Sequence, residues 1–159
     1  MRLANPLKTA LIVAVAFALY LPLQAELKSV LVAYKVVTAN GAEQIQSADK
    51  AKPGDVVEYV AEYQNTDKRP VREVMAKLPI PSGMVYVPET ASPAGVLAST
   101  DDINYAPVPL KRSVRGADGN MAQQLVPYSE YRSLRWNLGE IRGGASKTVK
   151  ARMKIEAGQ

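Results

Sequence analysis

Glu58 and Glu62 stand four residues apart in the stretch PGDVVEYVAEYQNTD, Pro53 to Asp67, and a carboxylate pair is the least that acid–base catalysis requires. The chain has no Cys and no His. The common nucleophile–base arrangements are therefore closed to it, leaving carboxylates, Lys, Tyr and Ser. Read as a strand, the stretch separates the two glutamates by roughly 13 Å, wider than the spacing used by most glycosidases. The sequence thus predicts a solvated strand face at Glu58 and Glu62. It predicts no enzyme and no cofactor.

Hard oxygens that could meet a Ca²⁺ ion occur at Asp101, Asp102 and Asn104, and again at Asp118 and Asn120. Neither run has acids at alternate positions with a closing Glu, so turn chemistry accounts for both and no metal site is expected. Thr148, Lys150, Arg152 and Lys154 alternate along one strand face, with Arg142 and Lys147 close by. Such a row could hold a polyanion: lipopolysaccharide phosphates, an acidic exopolysaccharide or extracellular DNA. The same charges would also keep an edge strand from pairing with a neighbour, which needs no ligand and is the favoured reading. Tyr128, Tyr131 and Trp136 could form an aromatic platform for a sugar, but alternation turns Trp136 inward and favours core packing.

The elements that must carry these residues are short strands. LKSVLVAYKVVT, Leu27 to Thr38, runs into Asn40-Gly41, a tight-hairpin signal, and returns near Glu43 to Ser47. In the opening stretch a period of two sends Val57, Tyr59, Ala61 and Tyr63 to the core and Glu58, Glu62 and Gln64 to solvent. Val71 to Leu78 forms the next strand with Val74, Ala76 and Leu78 inward, followed by a short one at Met84 to Val87. Residues 89–128 are irregular, and a structureless stretch of that length is unusual in a compact domain. A hairpin of Leu110–Val114 with Gln123–Val126 is expected within it. Leu134, Trp136 and Leu138, then Val149, Ala151, Met153 and Ile155, are the inward sets of the last two strands. The expected fold is all-β, an antiparallel sandwich of about seven to nine strands in a single domain.

Residues 1–25 have the form of a secretory signal: Arg2 and Lys8, an apolar run from Ala10 to Leu21, Pro22, then Leu23-Gln24-Ala25 as a cleavage site. The apolar run is shorter than the roughly 20 residues that span a bilayer. With Arg2 and Lys8 removed the formal charge falls from +5 to +3, no basis for a specific nucleic-acid partner. Without Cys there are no disulfides and no lipid-modified Cys, so a packed core must supply stability. The expected location is outside the cytoplasm, with the periplasm favoured over the extracellular space or the cell surface.

Several motifs occur in order: Pro53-Gly54-Asp55, Tyr59, Asn65-Thr66, Pro79-Ile80-Pro81-Ser82-Gly83, then Trp136, Leu138-Gly139 and Gly144. Together they resemble the conserved repeat domain of bacterial and archaeal surface proteins, domain of unknown function eleven, over residues 53–155. This sequence departs from the family at Asp67, where Gly is usual, at Leu78, where Asp is common, and in the longer inserted region 89–128. The resemblance implies an immunoglobulin-like sandwich, present here as one copy, and a non-catalytic role in contacting an envelope protein or a surface polymer. The alternative is a subunit of an extracellular fibre or matrix built through sheet edges. Some exported immunoglobulin-like domains also carry a Lys–Asn isopeptide bond promoted by an acid. Lys35, Asn137 and Glu58 or Glu62 are the residues here that could supply one.

Overall fold

A computed structural model describes residues 26–157; the expected signal at 1–25 lies outside the described residues. The described chain forms β1 (Leu27–Ala39), β2 (Ala42–Ser47), β3 (Val56–Asn65), β4 (Val71–Pro79), β5 (Met84–Tyr86), β6 (Leu97–Ser99), β7 (Ala106–Pro107), β8 (Lys111–Arg115), β9 (Met121–Leu125), β10 (Ser133–Ile141) and β11 (Ser146–Ile155). Sheet A has the order β2-β1-β3-β11-β5, sheet B the order β4-β10-β6-β7, and β8-β9 stands as a separate ribbon. Every pairing is antiparallel. Nine strands therefore make the two-layered body, and the hairpin adds two more.

Alternation explains the packing. Ala61 of β3 with Val149, Ala151 and Met153 of β11 face Val74, Ala76 and Leu78 of β4 with Leu134, Trp136 and Leu138 of β10, and all are buried, as is Val57 of β3. This is a sandwich-like core of inward side chains from two sheets. Trp136 sits at its centre, 1% exposed, and its indole N–H donates to the carbonyl of Pro93 at 2.9 Å. Tyr59 and Tyr63 are only half-buried, because their hydroxyls reach past the core to Met84 Sδ and the Lys77 carbonyl. Ile155, at the end of β11, is half-buried as well.

One core residue breaks the expected alternation. Ile141 is 1% exposed, although period two from Trp136 would send it outward. The register of β10 against β4 shifts at Gly139, whose φ is 62°. An extra residue in a bulge reverses the parity of everything after it. Asn137 Oδ1 accepts the Gly139 N–H at 2.8 Å and holds the bulge in place.

Residues 89–128 contain the expected hairpin, with Lys111 opposite Leu125 and Val114 opposite Ala122. They also supply β6 and β7 to sheet B. β6 pairs with β10 through Ser99, Ala98 and Leu97; at three residues it is too short to show a period.

The two sheets are unequal at one flank. β4, the outermost strand of sheet B, lies against β3, so β1 and β2 of sheet A extend beyond it. Leu31 is opposite Ala61 and shares its inward face, yet it is 53% exposed where Ala61 is 5%. The first half of β1 and all of β2 are exposed as a result.

Candidate functional site

The cationic row stands on the outer face of β11, and its charges are largely turned back onto the protein. The Arg152 guanidinium donates from Nη1 and Nη2 to both carboxylate oxygens of Glu43, at 2.9 and 2.8 Å, and from Nε to Glu58 at 3.0 Å. Register explains the second contact, since Arg152 and Glu58 are directly opposite. Glu43 stands opposite Thr38, where β1 runs past the first residue of β3, and its side chain meets that of Arg152 on the outer face. These carboxylates raise the Arg152 pKa above its ordinary value, the Glu43 hydrogen bonds most, and Arg152 in turn lowers that of Glu43. Lys150 Nζ lies 3.8 Å from the same Glu58 oxygen. Lys147 Nζ donates to the Leu138 carbonyl. Lys154 is exposed at the sheet end and has no ion pair among the described residues.

Glu58 is 8% exposed, which its place on the polar side of β3 does not suggest. Arg152 and Lys150 lie against it. Glu62 remains exposed on the same face.

Of the proposed isopeptide residues, Lys35 and Glu58 lie on sheet A and Asn137 on sheet B, each with another partner. Lys35 Nζ is 2.7 Å from Asp55, Glu58 holds Arg152, and Asn137 is exposed on sheet B with its Oδ1 engaged at the bulge. The aromatic trio is divided too. Tyr131 is 2% exposed and its hydroxyl accepts the Leu110 N–H at 2.7 Å. It stacks near Tyr86, with Tyr128 edge-on at 5.2 Å. Tyr128 is half-buried and lines a cleft with Pro88, Val108 and Pro109.

Both acidic loops close on themselves. Asp101 accepts hydrogen bonds from Ser99 Oγ and from the Ile103 and Asn104 N–H groups, and from the Asn104 side chain. Led by the Asn104 amide, these donors hold its carboxyl well below the usual range. Asp118 accepts from the backbone and side chain of Asn120, which lowers its pKa. One further cluster joins a Ser, an acid and a Lys. Ser133 Oγ donates to Asp102, Tyr105 lies 2.8 Å from that hydroxyl, and Lys77 Nζ is 2.9 Å from the same carboxylate. Ser133 is fully buried, so its hydroxyl fastens β10 to the loop after β6 and does not face a substrate.

Comparison with family models, with curated proteins and with solved structures gave no match. The resemblance to the surface-protein repeat therefore rests on the motif residues alone.

Against these internally paired charges stands the flank. Leu27, Val30, Leu31, Val32 and Ile45 are 36%, 59%, 53%, 39% and 56% exposed, and all lie on β1 and β2. Alternation assigns Leu31 to the inner face and Val30, Val32 and Ile45 to the outer. Sequence reading did not single out this ribbon. Its signal is the run VLVAYKVV, apolar at both parities as in a strand covered on two sides, of which Val30, Leu31 and Val32 are exposed among the described residues.

Proposed function

We propose that the chain is an exported, non-catalytic β-sandwich module of immunoglobulin-like type that works by contact in the bacterial cell envelope. Its contact surface is the β1–β2 flank. The observation that carries this reading is the exposure of five large apolar side chains on one ribbon, Val30, Val32 and Ile45 on its outer face and Leu27 and Leu31 on its inner one, since exposed clusters of apolar surface mark interaction sites. The pairing of Arg152 and Lys150 with Glu58 and Glu43 favours a protein partner over a polyanionic polymer, because a polymer would compete with contacts already made. The motif resemblance supports the sandwich type and the export of the chain. The second reading, assembly through sheet edges, draws on β2, whose six residues are all exposed.

A photo-crosslinking amino acid placed in turn at Leu31, Met75 and Lys154, in cells exporting the protein, tests the surface. Adducts to protein from Leu31, with none from Met75 or Lys154, are expected. Adducts from Lys154 alone, joined to salt-sensitive heparin retention lost in a Lys150→Glu/Lys154→Glu variant, would transfer the function to the cationic row. Intact mass of the exported protein, expected to begin at Glu26, tests the signal.

A further inference from the structure

We infer that β2 is a self-pairing edge, and that two copies of this chain join antiparallel, β2 to β2, about a two-fold axis at Ile45. The inference deepens the contact-module reading, on which it rests, by naming the partner as a second copy.

The sheet edges differ in their protection. β4 carries Arg72, Lys77 and a backbone irregularity at Glu73, whose φ is 55°. β7 has two residues and includes Pro107, and β5 has three. Charges, bulges, Pro and shortness are the usual means of blocking edge-to-edge pairing. β2, AEQIQS, has six residues and no Lys, Arg, Pro or bulge. Its one charge, Glu43, is already held by Arg152, so two edges can approach without carboxylate repulsion.

The hydrogen-bonding direction is fixed by the turn. Asn40 and Gly41 form a two-residue connection with φ of 54° and 78°, which makes Ala39 and Ala42 a hydrogen-bonded pair. Gln44 and Gln46 then bond back to β1, opposite Val37 and Lys35. Glu43, Ile45 and Ser47 turn their N–H and C=O groups outward. A two-fold axis normal to the sheet preserves its faces, so residues of the same face must be opposite one another. Centred on Ile45, it sets Ile45 against the partner's Ile45, Gln44 against the partner's Gln46 and Glu43 against the partner's Ser47. Apolar meets apolar, amide meets amide, and the outward groups of Glu43, Ile45 and Ser47 fall in hydrogen-bonded positions. Two five-stranded sheets become one. Because this contact is isologous it consumes the edge and stops at a dimer.

Sedimentation equilibrium of the exported protein, as it begins at Glu26, from about 1 to about 200 µM tests this, a range suited to a small interface. The mass is expected to rise from one chain toward two. Ile45→Lys, which sets two ammonium groups against each other, should weaken association at least about tenfold, and Ile45→Pro, which removes the outward N–H, should do likewise. Met75→Lys on sheet B should leave it unchanged. A monomer across the whole range, a dimer insensitive to both Ile45 variants, or growth into larger species would overturn the inference. A monomer that still yields Leu31 adducts to another protein would do so while leaving the contact-module reading intact.

Discussion

The side-chain amide of Asn65 donates to the backbone carbonyl of Ile141 at 3.0 Å, across 76 residues of sequence. The same Nδ2 donates to the Arg69 carbonyl at 2.7 Å, and its Oδ1 accepts the Asp67 N–H at 3.0 Å. Asn65 is fully buried. One amide thus fastens the end of β3, the turn into β4 and the end of β10, using donor and acceptor together.

Asn65→Ala leaves two carbonyls and an N–H without their partner and should cost about 2–4 kcal/mol. Asn65→Asp should be no milder, because a carboxylate has nothing to donate to the Arg69 and Ile141 carbonyls. Urea unfolding measures both; a loss under half a kcal/mol, on the order of a surface substitution, would refute the tie.

Gly143 is required by a close approach. A Cβ there would lie 2.2 Å from the Lys68 carbonyl oxygen, which is backbone and cannot swing aside. Gly143→Ala should cost about 1–3 kcal/mol through displacement of the turn, read as a lower urea midpoint. An unchanged midpoint would mean that the loop yields freely.

Arg152→Ala should destabilise by about 2–4 kcal/mol, because the Glu58 side chain, only 10% exposed, loses its main partner. The paired variant Glu58→Leu/Arg152→Leu should recover most of the loss, since two apolar groups carry no uncompensated charge. Glu43→Gln should cost clearly less than Arg152→Ala, its side chain being 60% exposed. Equal losses in all three variants would contradict this division.

Acid should unfold the protein through its aspartates. Asp55, held by Lys35, Asp67, held by the Arg69 N–H, Asp101, held by Asn104, and Asp102, held by Ser133, all have lowered pKa values. The unfolded chain therefore binds more protons than the folded one below about pH 4–5, and stability falls as pH falls through that range. Asp101→Asn should flatten the slope. With no His in the chain, little change is expected between about pH 6 and 8; a transition there would contradict the assignment.

Much of the architecture is legible in the sequence because alternation is a local signal. Val74, Ala76 and Leu78, and Val149, Ala151 and Met153, face the core where period two puts them. The Asn40-Gly41 turn and the hairpin after Leu110 also stand where their residues indicate. Ile141 was hidden by a bulge at Gly139, and β6 by its length. The candidate surface was harder to read. That Leu31 lies uncovered depends on sheet B ending at β4, and that Glu58 is buried depends on the Arg152 guanidinium from β11, which Glu43 of β2 also holds. Neither is a property of neighbouring residues.

That β2 is the contact edge is tested most directly by amide hydrogen exchange on the exported protein at low and high concentration. The Glu43, Ile45 and Ser47 amides, which point away from β1, should exchange more slowly as concentration rises, while those of Gln44 and Gln46, already bonded to β1, should not change. Exchange at Glu43, Ile45 and Ser47 that is independent of concentration would contradict it.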